Sequence, residues 1–309
     1  MGKMFNKMNM ISGLDWQNLL SDSAYSAWKN DKIKTFKGVN AAAPIMIESL
    51  ESASFDSICE IKDRIAVTNF AVYQSQHQSQ SVDECAVSLK SFAANFGLVS
   101  KETHRSEGQD GVVALATSSE KSKQGYIPYT PKALSWHTDG YYNADDSKVL
   151  AFALHCYEPA HQGGENQLID PEIAYIRLRD ANPAFINAFF HPEAMTIPAN
   201  TNEVGTVRPA SVGPVFFVDQ ATGRLQMRYT ARTRSIEWRD DPTTRAASHW
   251  MREWLASDEE FKIELKLDKG QGILNNNVLH NRTSFVDDPS GQTQRTMMRV
   301  RFHNRIAEV

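Results

Sequence analysis

The chain of 309 residues has a mass of 34.7 kDa, and 41% of its residues are hydrophobic while 23% are charged. These fractions are close to the average for globular proteins and exclude a wholly disordered chain. The 33 Lys and Arg residues and 37 Asp and Glu residues give a net charge of −4 and a pI near 6.2. That balance excludes the basic surface that is typical of a nucleic-acid binder.

The lack of a recognisable targeting signal and the wide spacing of the cysteines indicate a reducing compartment. No stretch approaches the ~18 consecutive apolar residues of a membrane span, and the N-terminus lacks the apolar core of a secretory signal. The three cysteines, Cys59, Cys85 and Cys156, are widely spaced and form neither a disulfide framework nor a CxxC metal site. We therefore expect a cytoplasmic protein whose partner is a small molecule, with no nucleic acid and no membrane among its ligands.

Nothing in the sequence marks a boundary between two folded domains, since it contains no repeat and no low-complexity linker. Residues 1–35 are polar and weakly patterned, which is typical of a loosely attached, flexible N-terminal arm. We predict that residues 36–309 form a single domain.

The elements predicted first are a strand, a helix and a second strand. The run RIAVTNFAVY from Arg64 is rich in β-branched and aromatic residues and predicts a strand. The pattern S-x-x-E from Ser81 is a capping box, apolar residues follow it at helical spacing, and Gly97 ends the predicted helix. The run GVVALAT from Gly111 predicts the next strand, and the Ser-, Lys- and Pro-rich segment from Ser118 predicts a loop.

In the second half of the chain, strands again outnumber helices. The continuous apolar run VLAFALHCY from Val149 predicts a strand that is buried on both faces. Asp170 and Asp241 each precede a proline, which indicates an N-cap followed by Pro at the first helical position. Segments that begin at Ile263 and Arg295 alternate apolar and polar residues and predict further strands. Because the helices are clustered, we predict a mainly β fold with helical decoration (α+β), a β-sandwich or jelly roll, rather than a doubly wound sheet.

The strongest local motif is H-x-D at His137 and Asp139. Residues two apart in an extended segment point to the same face, so this imidazole and this carboxylate can bind one ion. His280, at the end of the apolar run ILNNNVLH, is the candidate for a third ligand. Two histidines and one carboxylate on one face of an octahedron leave three positions open, as in non-haem Fe(II) oxygenases, but the same ligands can hold a catalytic zinc ion.

Two arginines follow this triad at an even spacing. Arg295 and Arg299 lie four residues apart in the run QRTMMRVRF, which in a strand places both guanidinium groups on one face. A planar guanidinium can bind a carboxylate with two hydrogen bonds. The alternative is a pair of arginines that face solvent, and the spacing alone does not exclude it.

Together these residues resemble a known family. The chain is similar to the TauD/TfdA-type Fe(II)- and 2-oxoglutarate-dependent dioxygenases from about Ile65 to Arg305, on four motifs in the same order. The motifs are HTD in ALSWHTDGYY, GGEN at 163–166, GQGILNNNVLHNRTSF from 270, and R-x-x-x-R at 295–299. The resemblance implies a double-stranded β-helix, a distorted jelly roll of the cupin-like kind, with the metal between its two sheets.

The resemblance implies that His137, Asp139 and His280 are the catalytic iron ligands, and that the cofactors are Fe(II), 2-oxoglutarate as cosubstrate and O2. Such an enzyme converts 2-oxoglutarate to succinate and CO2 while it oxidises its substrate, most often by hydroxylation. Related halogenases replace the carboxylate ligand by a small residue. The presence of Asp139 therefore indicates hydroxylation, desaturation or oxidative cleavage.

The resemblance also implies roles for three residues around the cosubstrate. Arg295 matches the arginine that pairs with the distal carboxylate of 2-oxoglutarate. Arg299 matches a second arginine, which in taurine-type members faces the anionic group of the substrate and the proximal end of the cosubstrate. Asn166 occupies the position of a threonine that hydrogen-bonds 2-oxoglutarate, and an asparagine amide can donate to the same carboxylate.

Candidate substrate-binding residues lie next to the metal motif and in a basic segment. Tyr141 and Asn143 follow the H-x-D motif and are candidates to line the mouth of the site. Arg228, Arg232 and Arg234, in MRYTARTR, give local positive charge to a net-acidic chain. We hypothesise that one of them, together with Arg299, faces an anionic group such as a carboxylate or a sulfonate.

Two other functions could use the same residues. A zinc-dependent hydrolase would activate water at the His/Asp/His site, but it leaves the arginine pair unexplained. A non-catalytic jelly-roll binding module would carry the triad without using it. Homo-oligomers are common among enzymes of the family, so a homo-oligomer stays open as well.

Overall fold

A computed structural model of the chain describes residues 16–18, 22–102, 111–118, 127–202 and 205–306. The helices are α1 (Asp22–Lys37), α2 (Phe55–Thr68), α3 (Val82–Ala94), α4 (Pro171–Ala181), α5 (Pro183–Phe190) and α6 (Pro242–Ala256). The strands in the first half are β1 (Ile45–Ile47), β2 (Phe70–Ser75), β3 (Val113–Ala116), β4 (Leu134–His137) and β5 (Ala151–Glu158).

The remaining strands follow in chain order: β6 (Gln162–Gly163), β7 (Asn166–Ile169), β8 (Met195–Ile197), β9 (Asn200–Asn202), β10 (Gly205–Arg208), β11 (Ser211–Gly213), β12 (Phe216–Val218), β13 (Leu225–Met227), β14 (Glu237–Trp238), β15 (Ile263–Leu265), β16 (Gln271–Asn275), β17 (Leu279–Arg282), β18 (Phe285–Val286) and β19 (Thr296–Phe302). Among the described residues, no helix combines the length and the apolar content needed to cross a membrane.

Two facing sheets form the framework. The larger sheet has six strands in the order β1-β2-β16-β5-β19-β3, and the smaller has four in the order β15-β7-β17-β4. Neighbouring strands are antiparallel except for β1 and β2. Phe152 of β5 packs its ring against His280 of β17, with 4.9 Å between ring centroids, so the inner faces of the two sheets meet. The predicted double-stranded β-helix with helical decoration is confirmed.

Strand β19 contributes side chains both to the apolar core and to the space between the two sheets. Met298 and Val300 point outward and belong to the apolar cluster that contains the buried residues of α2 and α3. Arg299 and Arg301 alternate with them and point inward, toward the residues that follow β4. The period of two in a strand therefore separates core residues from inward-facing polar residues within one short segment.

Helix α2 differs from the sequence-based prediction. The strand predicted from Arg64 begins only after Asn69, since α2 occupies the first part of that run. Asn69 adopts a left-handed conformation with φ 61° and ends the helix, donating from its backbone N–H to Ile65 O. Ile61 and Ile65 lie one helical turn apart and are buried, but β-branched residues suit a strand equally well. Composition could not separate the two elements because the apolar run continues across Asn69.

The other predicted helix starts are confirmed. Ser81 accepts a hydrogen bond from Glu84 N at 3.1 Å and so caps α3. Asp170 and Asp241 cap α4 and α6 by accepting from backbone N–H groups, and proline is the first residue of each helix. These caps depend on neighbours in the sequence, which is why the sequence predicts them.

The described part of residues 1–35 packs against the core, although its polar sequence predicts a loosely attached arm. Trp16 and Tyr25 are buried, and both rings contact Tyr175. The Tyr175 hydroxyl also donates to Trp16 O at 2.7 Å. A few large aromatic side chains make these contacts, so the segment lacks the periodic apolar pattern that predicts a packed helix. The extent of a single domain over residues 36–309 stays a prediction.

Lys32 of α1 lies in a buried charge cluster. Its Nζ lies 2.6 Å from Asp170 Oδ2 and 2.5 Å from Glu172 Oε2, and it donates to Val67 O at 2.8 Å. Burial by itself lowers the pKa of Lys32, but the two carboxylates outweigh burial and raise that pKa above its ordinary value. The ammonium is therefore charged at neutral pH, and the cluster fixes α1 to the start of α4.

Replacing Lys32 with methionine tests this attachment. Lys32→Met leaves Asp170 and Glu172 buried without their cation, so we expect the free energy of unfolding to fall by about 3–5 kcal/mol. Lys37→Met, which removes an ion pair with Glu260 between two exposed side chains, should change it by less than about 1 kcal/mol. Urea unfolding at pH 7 measures both, and equal small losses would contradict a role for the buried cluster.

Candidate active site

Two histidines meet where β4 and β17 pair. These strands are antiparallel neighbours in the smaller sheet, and their register sets His280 directly opposite His137. Side chains of directly opposed residues share one face of a sheet. The two imidazole rings accordingly lie 4.2 Å apart between centroids, on the face that meets the larger sheet.

Each imidazole is held in one orientation by a hydrogen bond to the main chain. Nδ1 of His137 lies 2.8 Å from Ser135 O, and Nδ1 of His280 lies 2.9 Å from Val278 O. A carbonyl oxygen can only accept, so Nδ1 carries the proton and the Nε2 lone pair stays available in both rings. Burial, followed by the neighbouring His280, lowers the pKa of His137 to about 3, and burial also lowers the pKa of His280. Both rings are therefore neutral at pH 7, the form that binds metals.

Asp139 completes the cluster just after β4 ends. Its Oδ1 lies 3.8 Å from His137 Nε2, and Arg299 Nη1 lies 3.2 Å from each carboxylate oxygen. Burial opposes ionisation of Asp139, but Arg299 and Arg301 outweigh burial and hold the pKa of the carboxyl well below its usual range. Oδ2 is buried and accepts no hydrogen bond from the described residues, so this oxygen has capacity for a further partner.

These three side chains form a group that can hold a metal ion. In the part of the chain that the structure describes, no other set of three His, Cys, Asp or Glu residues does so. One ligand atom from each residue lies within 4.8 Å of the others. Two neutral imidazoles and one ionised carboxylate fit Fe(II) in a facial triad, and zinc accepts the same donors.

Two of the three residues predicted to bind the cosubstrate, Arg295 and Asn166, line one cavity together with Gly164 and Met297. Arg295 is 5% exposed, and its guanidinium lies over the Phe285 ring at 4.8 Å. Among the described residues, only its backbone N–H makes a hydrogen bond, and its guanidinium makes neither a hydrogen bond nor an ion pair. A buried cation with free donors can bind an anion.

The register of β7 relates this cavity to the metal triad. Leu168 pairs with His280, so the side chain of Asn166, two residues earlier, lies on the same inward face. Two residues along a strand correspond to about 7 Å. The cavity of Arg295 and Asn166 therefore lies beside the triad, between the two sheets.

Tyr141 and Arg232 lie on the other side of His137. The Tyr141 ring stands edge-on to the His137 ring, with 6.3 Å between centroids. Its hydroxyl accepts a hydrogen bond from Arg232 Nη1 at 3.0 Å. Thr230 pairs with His137 across an isolated bridge, which brings the basic segment to the metal strand. Since Arg232 is exposed, this pair extends from the site to solvent.

Two other predicted substrate-binding residues bond through their side-chain donors to groups within the protein. Arg228 is 6% exposed and donates to three main-chain carbonyls within 3.2 Å. Asn143 donates its amide to Glu102 Oε1 at 2.5 Å and to Ser147 O at 2.8 Å. Both brace the segments around the site, and the substrate contact that the sequence predicts for them stays a prediction. Charge and proximity in a sequence do not reveal which donors the fold already uses.

Sequence reasoning missed the residues that support Asp139. Arg301 forms an ion pair with Glu102 and donates to the Tyr142 hydroxyl at 3.2 Å, so it holds the loop after β4. Asn277 bonds to the main chain of Asp139. The even spacing along β19 could have indicated Arg301, and the run of three asparagines before the second histidine could have indicated Asn277.

Comparison with models of protein families decides the family. The model of the taurine catabolism dioxygenase TauD, TfdA family matches residues 86–301. The chain belongs to the TauD/TfdA family. The matched range contains the triad, Arg295 and Arg299, so the resemblance seen in the sequence is confirmed. No curated protein matches the chain.

Solved structures share the fold of this TauD/TfdA-family chain at low sequence identity. An asparagine oxygenase in complex with Fe(II), 2S,3S-3-hydroxyasparagine and succinate has a TM-score of 0.56 at 9% identity, over 91% of this chain and 92% of that one. A taurine dioxygenase from Burkholderia xenovorans has a TM-score of 0.54 at 17% identity, over 85% and 88%. PvcB from Pseudomonas aeruginosa has a TM-score of 0.53 at 12% identity, over 80% of each chain. These similarities establish the fold and leave the substrate open.

The metal site predicts that the metal-free protein binds a single Mn(II) ion, used here in place of Fe(II). Asp139→Ala removes the anionic ligand, so we expect the Mn(II) affinity to fall by about 100-fold or more. Asp145→Ala is the control, because Asp145 is an exposed carboxylate in the following loop that pairs with Lys148. Isothermal titration calorimetry measures all three proteins, and equal affinities would contradict the assignment of Asp139 as a ligand.

Proposed function

We propose that this TauD/TfdA-family dioxygenase hydroxylates a small polar, anionic organic molecule with Fe(II), 2-oxoglutarate and O2, and releases succinate and CO2. The observation that carries the proposal is a buried arginine with free donors, Arg295, beside the His/Asp/His triad and between the same two sheets. A metal triad and an unbalanced buried cation together match the two ends of a dicarboxylate cosubstrate.

His137, Asp139 and His280 would hold the iron. When bound, Fe(II) together with 2-oxoglutarate and O2 supplies the oxidant for the substrate. The chain contributes two neutral imidazoles whose Nδ1 protons are committed to carbonyls, and a carboxylate that Arg299 keeps ionised. Three protein ligands leave further positions of an octahedral ion for small-molecule ligands.

Arg295 and Asn166 are suited to the distal carboxylate of 2-oxoglutarate. A guanidinium offers two parallel donors, and the asparagine amide adds another. Asn166 lies about 7 Å along the sheet from the level of His280, which is comparable to the length of a five-carbon dicarboxylate. Arg299 lies next to Asp139 and is suited to the proximal carboxylate or to the anionic group of the substrate.

Arg232 and Tyr141 support an anionic substrate. Arg232 donates one N–H to the Tyr141 hydroxyl and has further donors in a fork that matches a carboxylate or a sulfonate. Tyr141 joins this cation to His137, and Arg299 adds a second cation within the cleft. The entrance is thus locally positive on a chain with net charge −4, which favours anions.

The two alternative functions account for fewer of these features. A zinc hydrolase could use the same fold and triad, but it gives no role to Arg295. A non-catalytic binding module could use Arg295 for an anion, but it gives no role to the intact triad. Burying a cation without a partner destabilises a protein, so a free guanidinium at this place indicates a ligand that supplies the negative charge.

Turnover of 2-oxoglutarate tests the proposed function. We expect succinate formation with Fe(II), ascorbate and O2 to be stimulated by one member of a panel of small carboxylates, sulfonates, betaines and amino acids. Asp139→Ala should abolish that stimulation because it removes a metal ligand, whereas Asp145→Ala should retain it. Full stimulated turnover by Asp139→Ala would contradict the mechanism.

The cosubstrate assignment predicts a selective effect of Arg295. We expect Arg295→Gln to raise the KM for 2-oxoglutarate at least about 10-fold, since it removes a charge-assisted, two-donor contact worth about 1.5–3 kcal/mol. Arg245→Gln, which changes an exposed arginine on α6, is the matched control. Initial rates measured at increasing 2-oxoglutarate concentration give the KM of each protein. An unchanged KM in Arg295→Gln would contradict the assignment of Arg295 to the cosubstrate site.

The substrate assignment predicts a different selective effect of Arg232. Once a stimulating substrate is found, Arg232→Gln should raise its KM about 10-fold and leave the KM for 2-oxoglutarate unchanged, because only the substrate contact is lost. Arg234→Gln changes a second exposed arginine of the same segment and should alter neither constant. Equal KM values for the substrate in both variants and the unmodified protein would rule out Arg232 as an anchor.

A further inference from the structure

Asp139 does not belong to strand β4, so the strand pairing that fixes His137 does not fix Asp139. Strand β4 ends at His137, and the next main-chain bond runs from Thr138 N to Tyr229 O at 3.0 Å. Both main-chain polar groups of Asp139 bond instead to one side chain. Its N–H donates to Asn277 Oδ1 at 2.7 Å, and its carbonyl accepts from Asn277 Nδ2 at 3.0 Å.

The same amide closes the loop that follows Asp139. Asn277 Nδ2 also donates to Val149 O at 2.7 Å. The two ends of the loop touch there, since a Cβ on Gly140 would lie 2.5 Å from Val149 Cγ2. Asn277 therefore joins the residue before the loop 140–148 to the residue after it, and the loop carries the aromatic residues next to the triad.

The main chain of Asn277 is adapted to this position. Its φ is 54°, a left-handed conformation that asparagine tolerates better than most residues with a Cβ. The side chain is 1% exposed, so its hydrogen bonds form where water does not compete. The residue type, the backbone conformation and the burial of Asn277 all indicate that its side chain is held in one orientation.

We propose that Asn277 is a positioning residue that orients Asp139 for the metal ion; the inference rests on the proposed metal site. Arg299 attracts the Asp139 carboxylate toward the larger sheet from 3.2 Å. The bonds to Asn277 hold the main chain of Asp139 against that attraction, so the carboxylate keeps facing the two imidazoles. Residues that orient a metal ligand affect metal affinity by about 10–100-fold.

The preceding residue provides a matched control. Asn276 is 3% exposed, and its amide also makes two hydrogen bonds, to Asn69 Oδ1 at 3.3 Å and from Ile306 N at 3.0 Å. These bonds join the end of α2 to the segment after β19. A change at Asn276 therefore removes a buried amide of the same kind without removing a bond to Asp139.

Calorimetric titration of the metal-free full chain with Mn(II) tests the proposal. The proteins are the unmodified chain, Asn277→Gly and Asn276→Gly. Glycine keeps the left-handed backbone of residue 277 without strain, and the same replacement at residue 276 matches it. We expect Asn277→Gly to weaken Mn(II) affinity about 10-fold or more, and Asn276→Gly to leave it unchanged. If Asn277→Gly does not fold, Asn277→Ser replaces it with the same expectation, since one hydroxyl cannot serve three partners.

Thermal unfolding of the same metal-free samples separates positioning from general loss of stability. Comparable losses of Tm in the two variants, with weaker Mn(II) binding in Asn277→Gly alone, would support the positioning role. Unchanged affinity in Asn277→Gly, or an equal loss of affinity in both variants, would overturn it. A different result would contradict the metal site itself: no Mn(II) binding by the unmodified chain, or undiminished binding by Asp139→Ala.

Discussion

The antiparallel pairing of β4 with β17 is the constraint on which the rest of the site depends. It places His280 opposite His137 although the two lie far apart in the sequence. A slip of one residue would turn one imidazole to the other face of the sheet, where it could not share a ligand. Once the register is set, each ring needs only a bond to a carbonyl two residues before it. The arrangement of the two histidines is thus a consequence of sheet register, and short-range contacts fix the orientation of each ring.

The larger sheet, which faces β4 and β17, supplies arginines that determine the charge of the cavity. Arg299 and Arg301 keep Asp139 ionised in a buried place, and Glu102 in turn balances Arg301. Arg295 makes no ion pair with a described residue, although burial is unfavourable for its charge as well. The protein balances two of these inward arginines itself, whereas the guanidinium of the third makes no ion pair with a described residue. That asymmetry supports the proposed anion-binding role of Arg295.

The sequence predicts the parts of this molecule that depend on near neighbours. The H-x-D spacing, the caps at Asp170 and Asp241 and the alternation of β19 follow from local rules, and the family motifs add His280. The register and the occupancy of donors are long-range properties. For this reason the sequence could not show that the donors of Arg228 are used by three carbonyls, nor that α1 is held by a buried lysine. The first part of the strand predicted from Arg64 is helix α2 and the later part is strand β2, and the sequence could not separate them because β-branched residues fit both elements.

The most direct test of the iron and 2-oxoglutarate chemistry is an anaerobic absorption difference spectrum. Fe(II) and 2-oxoglutarate are added together to the metal-free protein, with Fe(II) alone and 2-oxoglutarate alone as references. A site that binds both predicts a weak visible charge-transfer band, as expected of the family, and the band should be lost in Asp139→Ala. Absence of the band at saturating Fe(II) and 2-oxoglutarate would contradict a dioxygenase and favour a hydrolase or a non-catalytic binding module.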